Sequence, residues 1–404
     1  MKLIPYREAS ATFAAACAPG PEESVPARQA LGAVASRLAI GAIASPAFNN
    51  AAMDGFAIRA EDTEGATAGS PVELPVAGEL RVGAYAEAAM PGSGCALRVA
   101  TGALTPPPLD TVVPLERATM IERPGGTVLR FLKPAQGGRN VRVMGEEYPA
   151  GAAFDFTGKR LNAGHVALFS AAGIGELCVR TPPPLGLLTT GDEVRPPGAP
   201  LAPGEISNVN ASWLAAWCAE RRIPLALARH VRDDSHDLAS GFRKARESGA
   251  RVLVSSGSAS AGRHDVLRQA LEELGARIVF HGVAMRPGKP ALFALLDDEV
   301  PIFGLPGNPL ATAAGMRFLV WPAIRAIMGM DAEKPRRKPL ANPCDLREGY
   351  THFLLARRKA KSGALKPVSP QRPGQAGALA AADCWLCLDG GPHEVGALVD
   401  CYSL

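Results

Sequence analysis

Three times between residues 185 and 330 the chain runs an apolar stretch into a glycine-containing turn and then into a helical pattern. LGLLTTGDE leads to NASWLAAWCAERR, RVLVSSGSASAGRHD to VLRQALEELG, and VPIFGLPGNP to LATAAGMRFLVWPAIRAIMG. Continuously apolar strands need cover on both faces, and strands joined through helices run parallel. The repetition therefore predicts a doubly wound parallel α/β domain, placed at residues 183–331. Ligands of such sheets bind beyond the carboxyl ends of the strands, where these three turns fall.

The flanking sequence has other textures. Helical spacing from Pro5 to about Ile43, and again from Leu161 to Gly173, predicts a helical connecting domain formed by residues 1–45 and 142–182. Between them, short apolar runs such as VELPVAGEL and ALRVATGAL, broken by Gly and Pro, predict a β-rich domain at 46–141. TPPP at 181–184 is a stiff boundary, and KPRRKP at 334–339 is a charged linker. The runs THFLLAR, CWLCLD and ALVDCYSL then predict a C-terminal β domain at 332–404. The expected fold is α/β and multidomain, since 404 residues exceed what one core usually holds.

The chain's net charge of +4 argues against a nucleic-acid platform, because 11 basic and 7 acidic residues in 332–404 account for the whole excess. Eight scattered cysteines fit reduced thiols better than a disulfide framework. MKLIPYREASATFAAACAPG lacks the apolar core of a signal peptide, and no stretch approaches the roughly 18 apolar residues of a membrane helix. A soluble, cytoplasmic protein is expected, with neither membrane nor nucleic acid as partner.

The turns carry the candidate chemistry. SSGSASAGRHD, including Ser256 and Gly257, puts small residues between a strand and a helix start, which suits either an anion or a tight turn with Asp265 as a cap. LPGNP offers Asn308 as an N-cap and Pro309 as the first helical residue, so it reads equally as a helix start. MRPGKP stiffens a segment bearing Arg286 and Lys289, two cations able to face one anion. Asp192, Glu193, Asp233, Asp234 and Asp265 fall at the same class of strand end and suggest Mg²⁺, which takes only one or two carboxylates, so some of them must be caps. Asp54 in NNAAMDG reads alone as a turn residue, the CxxC of Cys384 and Cys387 as buried thiols in a strand, and His230, His236 and His264 have no catalytic spacing.

Taken in order, PAFNNAAMDGFAIR, RVATGA, NVRVMGEE, TTGDEV, RDDSHDL, VSSGSASAGRHD, RPGKP and GLPGNP resemble the molybdopterin molybdenumtransferase family, the MoeA type related to the gephyrin E domain. The resemblance spans about Pro46 to Gly329. It implies an elongated homodimer and a transferase that turns adenylylated molybdopterin and molybdate into molybdenum cofactor and AMP, with Mg²⁺. Other molybdopterin biosynthesis proteins or molybdoenzymes would be further partners.

By matching position it implies Asp54, Glu193 and Asp265 as catalytic residues. Thr101, Arg142, Ser256, Gly257, Arg286, Lys289, Pro306, Gly307 and Asn308 would bind substrate, and Asp233, Asp234, Glu193 and Asp265 would hold the metal. The site would be completed across the dimer, with Asp54 from one chain facing the α/β domain of the other. The chain is a divergent member: Asn49 and Ala51 precede AMDG, Glu146 and Glu147 follow the NVR strand, Asn208 and Arg263 stand where acids are usual, Ser258 replaces a glycine, and Arg286 replaces a lysine. The lost acids motivate an alternative, a non-catalytic cofactor-binding or scaffold protein. Nothing in the sequence chooses between molybdate and tungstate.

Overall fold

The computed structural model describes residues 3–83, 92–257, 265–372 and 374–404. Residues 185–305 form a six-stranded sheet in the order Leu225–Val231, Leu185–Thr190, Val252–Ser256, Val300–Leu305, Leu292–Leu296 and Arg277–His281. The first four strands are parallel, as the alternation with helices requires. Leu292–Leu296 pairs antiparallel with both its neighbours, so the sheet is mixed rather than parallel throughout. The cause is local: Asp297 and Asp298, both at positive φ, help turn the chain between Leu296 and Val300, a connection too short for a crossover helix.

Successive residues of each central strand feed opposite cores. Leu188, Leu253 and Ile302 pack beneath the helices Ser235–Glu247 and Val266–Glu273, while Leu187, Val254 and Phe303 pack with the helix Val209–Glu220 and with Phe13. The chain winds outward from Leu185–Thr190 to Leu225–Val231 and then back to Val252–Ser256. Winding reverses between the first and third of these strands, which opens a crevice at their carboxyl ends.

Pro309–Ile327 is one continuous helical run containing a π segment at Met316–Val320. At 19 residues and a mean hydropathy of 1.2 it is long and apolar enough to cross a membrane, contrary to the expectation that no stretch would be. Its burial, 83% of the apolar window, makes it the central helix of the larger core.

The predicted helix from Pro5 to Ile43 is confined to Tyr6–Ala16. Pro21, Pro26 and Gly32, the last at φ 86°, break the rest into the strands Glu23–Pro26 and Val34–Ala35, which flank Glu176–Arg180. The helix Ala163–Ala171 begins at Asn162, whose side chain and that of His165 form a capping box.

Within 46–141 a six-stranded sheet runs Met120–Arg123, Gly126–Phe131, Val72–Leu80, Ala96–Val99, Gly55–Ile58, Thr111–Pro114. The last sheet is built around the long strands Cys344–Arg358 and Cys384–His393, with Leu398–Ser403 and Arg336–Pro339. Two distant segments join its other edge: Val283–Arg286 pairs in parallel with Cys344–Arg358, and Ile4–Pro5 pairs with Val283–Arg286. The segment bearing Arg286 thus belongs to the C-terminal sheet, although its sequence lies within the α/β region. All eight cysteines are unpaired.

Candidate functional site

A cleft of about 840 Å³ lies over the carboxyl ends of Leu185–Thr190, Val252–Ser256 and Val300–Leu305, where the winding reverses. Its floor is a seam of two turns packed backbone to backbone. Gly257 sits at φ 115°, and a Cβ there would meet the Thr190 carbonyl oxygen at 2.5 Å. A Cβ on Gly307 would lie 3.2 Å from the Gly257 Cα. Only glycine permits both turns to close this far, so Gly257→Ala is expected to cost about 1–3 kcal/mol of stability, read by denaturant unfolding.

Side chains beneath the seam lock it. Asn210, on the helix Val209–Glu220, donates to Ser256 Oγ at 2.9 Å and to the Gly307 carbonyl at 2.7 Å. Ser256 Oγ shares a hydrogen bond with Thr312 Oγ1 at 2.9 Å, and Thr312 Oγ1 donates to the Pro306 carbonyl at 2.6 Å. Ser256 is 1% exposed, so its hydroxyl positions the floor. Asn308 starts the helix through its carbonyl, which accepts from the amides of Ala311 and Thr312 at 2.9 Å, while its side chain makes no capping bond. The side-chain amide and the helix start therefore face the cleft together with Lys289, the one lysine or arginine among its described lining residues.

Of the predicted acids, Glu193 and Asp233 line this cleft. Partial burial, and next the neighbouring carboxylates of Asp192 and Glu193, raise the Asp233 carboxyl above its ordinary range. Asp234 is occupied elsewhere: its Oδ1 accepts from the amides of His236 and Asp237 at 2.9 Å, capping the helix Ser235–Glu247. Asp265 caps the helix Val266–Glu273 through the Arg268 amide at 3.2 Å, and its other oxygen lies 3.6 Å from His281 Nδ1. Free amides at helix starts claim both carboxylates, and neither lines the cleft. Of the four carboxylates expected to hold a metal, only Glu193 and Asp233 line the cleft, and no cluster of three or more possible metal-ligating His, Cys, Asp or Glu side chains forms among the described residues.

Arg286 also stands apart from the cleft. On the C-terminal sheet its guanidinium lies 4.8 Å from the centre of the Tyr350 ring, which Arg347 approaches at 5.4 Å. The turn through Pro287 and Gly288 then delivers Lys289, without Arg286, to the cleft wall.

Asp54, Thr101 and Arg142 form a second, exposed group on the β-rich region. Asp54 Oδ1 accepts from the Thr101 amide at 2.7 Å and the Thr101 hydroxyl at 2.8 Å, and these bonds hold its carboxyl below the usual range. Ala51 exchanges backbone bonds with Gly102 and Ala103, and the strand Asn50–Ala51 pairs with Val141–Arg142, which draws the three loops together. Arg142 pairs with Glu146 at 2.7 Å, and Asn49 Oδ1 accepts from the Met144 amide at 2.7 Å. None of the three predicted residues lines the cleft of its own chain.

The departure at Asn208 has a structural use. Asn208 caps the helix Val209–Glu220 by accepting from the Ala211 amide at 2.9 Å, and its Nδ2 donates to Thr189 Oγ1 at 2.9 Å. A carboxylate can cap but cannot donate. His230 continues this network, 3.0 Å from Thr189 Oγ1 and 3.1 Å from the Gly191 carbonyl. Ser258, Arg263 and His264 lie outside the described residues. Sequence reasoning missed Asn210, Thr189, Thr190 and Thr312 as site residues. The NVN turn at the helix start was visible, but nothing local shows that its second Asn reaches Ser256, 46 residues on.

Residues 4–173 match the model of the MoeA N-terminal region (domain I and II), and residues 186–326 match that of the probable molybdopterin binding domain. The chain is 33% identical over 314 residues to the molybdopterin molybdenumtransferase of Synechococcus elongatus, covering 77% of each chain. It is 32% identical over 367 residues to that of Bacillus subtilis, covering 88% of this chain and 83% of the relative. The crystal structure of the molybdopterin biosynthesis MoeA protein from Pyrococcus horikosii superposes with a TM-score of 0.79 at 28% identity, over 100% of this chain and 99% of that one.

Proposed function

The chain belongs to the molybdopterin molybdenumtransferase family, and on that premise we propose that it converts adenylylated molybdopterin and molybdate into molybdenum cofactor and AMP. One observation carries the reading: a cation, a helix start and a glycine seam converge on a single cleft at the point where the sheet winding reverses. Molybdate and the diphosphate of the adenylylated pterin are anions, and such groups are held by fixed donors in a site already organised for them. Lys289 neutralises, the Asn308 side-chain amide donates, the positive end of the helix behind it favours negative charge, and the backbone of Gly257 and Gly307 lets a flat heterocycle approach.

The group around Asp54 supplies the opposite wall. Asp54 is kept ionised by its two bonds from Thr101, ready to order a proton or a water on the substrate. It acts on the partner chain's cleft in a homodimer, since it stands away from its own. We place the protein in the cytoplasm.

Glu193 and Asp233 suit Mg²⁺, which accepts one or two carboxylates and keeps its waters. Burial first, then the charge of Asp192 and last that of Glu193 raise the Asp233 carboxyl, and a divalent ion would offset all three. When bound, Mg²⁺ would supply charge neutralisation beside the diphosphate linkage. Protons and Mg²⁺ compete for Asp233, so affinity for the ion is expected to rise with pH as Asp233 ionises, above the usual carboxylate range, and then to level. Asp233→Asn should lower Mg²⁺ affinity about tenfold and flatten that profile. In metal-free protein the sign reverses: a carboxyl raised by folding costs stability as pH climbs through its titration, so the same variant should be slightly more stable at neutral pH. Calorimetric Mg²⁺ titration and melting curves across acidic to neutral pH check both.

Reconstitution with adenylylated molybdopterin, molybdate and Mg²⁺ tests the activity itself. Release of AMP together with cofactor is the expected result, and neither product forming with well-folded protein would overturn the reading.

A further inference from the structure

Sharing no lining residue with the cleft, a hollow of about 480 Å³ lies where the helices Val209–Glu220 and Trp321–Ile327 meet the end of the last strand, Leu398–Ser403. Four arginines line it, Arg160, Arg221, Arg317 and Arg325, against two acids, Glu220 and Glu333. Glu333 is already committed, its two oxygens accepting from Arg317 at 2.8 and 2.9 Å. Glu220 is 75% exposed and meets Arg221 at 3.3 Å.

Arg160 and Arg325 have no carboxylate partner among the described residues. Arg160 donates to the carbonyls of Gly32, at 3.0 Å, and of Arg221. Arg325 donates to the Asp331 carbonyl at 2.5 Å, and its Nε is buried with no hydrogen-bond partner among the described residues. Arg221 and Arg325 approach the ring of Trp321 at 5.9 and 6.0 Å, and Arg221 covers Trp217 at 4.0 Å, so the guanidiniums are held rather than swinging in solvent.

Burial is the first cause lowering the proton affinity of Arg160, Arg221 and Arg325, and nearby guanidiniums lower it further, while Glu333 and Asp331 act against this at Arg325 and Glu220 at Arg221. With four guanidiniums against two carboxylates, the excess positive charge on these largely buried side chains is costly unless an anion completes it. Planar forks converging from separate elements suit a multi-oxygen anion better than one carboxylate, which a single fork satisfies. We infer that this hollow is a binding site for a phosphate-class oxyanion, taken either as the free ion or as the phosphate of a nucleoside monophosphate. The inference does not depend on the transferase reading.

Trp217 and Trp321 stand beside the site and report on it. Titration of the full-length protein with inorganic phosphate, and separately with AMP, is expected to change tryptophan emission saturably and to raise the melting temperature, while chloride at matched ionic strength does neither. If phosphate and AMP bind alike the free ion suffices, and if AMP alone binds the nucleotide is the source. Arg325→Gln and Arg160→Gln should each weaken binding about tenfold, and Arg325→Lys should recover part of the loss. Lys289→Met, which alters the cleft, should leave this binding intact. Two results overturn the site: neither anion binding better than chloride, or binding that survives both glutamine variants but is lost in Lys289→Met. Melting curves of the variants without anion identify loss of fold, and Arg325→Lys then carries the comparison.

Discussion

Lys289→Met is expected to lower kcat/KM for the adenylylated pterin by about 10- to 100-fold, with Lys289→Arg retaining part of the activity. The physical ground is scarcity. Among the described residues lining the cleft, Lys289 is the sole lysine or arginine, and it shares that space with Glu193 and Asp233. An anionic substrate entering beside two carboxylates depends on the one fixed ammonium and on whatever divalent ion the acids hold. Because the turn through Pro287 and Gly288 fixes the backbone, the loss should appear without a change in melting temperature. Kinetics at saturating Mg²⁺ check it, and an unaltered kcat/KM would remove Lys289 from substrate binding.

The second large effect concerns Asp54. Asp54→Asn should reduce turnover at least about 100-fold, because an amide cannot hold the proton that a carboxylate takes, while the bonds from Thr101 keep the loop in place. Where Asp54 acts is separable from whether it acts. In a homodimer with sites shared between chains, co-refolding equal amounts of Asp54→Asn and Lys289→Met protein yields mixed dimers in which one site carries both lesions and the other none. Mixed dimers form half the population, so about a quarter of wild-type activity should return from two impaired parents. Were the site formed within one chain, mixing would restore nothing. Sedimentation velocity on the same samples reports the dimer directly.

How much of this was legible in the chain itself differs from element to element. The α/β unit was, because the alternation of apolar strands, glycine turns and amphipathic helices is written in consecutive residues and needs no distant contact to read. So was the helix start at Asn308, where Asn and Pro act within one turn. The helix over Pro5–Ile43 failed because alanine spacing was weighted above Pro21, Pro26 and Gly32. The strands formed there find their partner at Glu176–Arg180, some 150 residues away. The antiparallel edge was missed for a related reason: Asp297 and Asp298 look like ordinary acids until their positive φ is seen.

The carboxylates mark the boundary most sharply. Sequence alone determined which acids lie at strand ends and helix starts, since spacing along the chain decides that. It could not apportion them, because a helix start binds a carboxylate through unpaired amides whether or not a metal waits nearby. Tertiary structure decided that Asp234 and Asp265 serve as caps while Glu193 and Asp233 face the cleft, and it drew Arg286 into the C-terminal sheet while leaving Lys289 behind. The arginine hollow belongs wholly to that second kind of information. Arg317 and Arg325 share one helical run, but Arg160 and Arg221 lie on distant segments, and only packing brings their charges within reach of that pair.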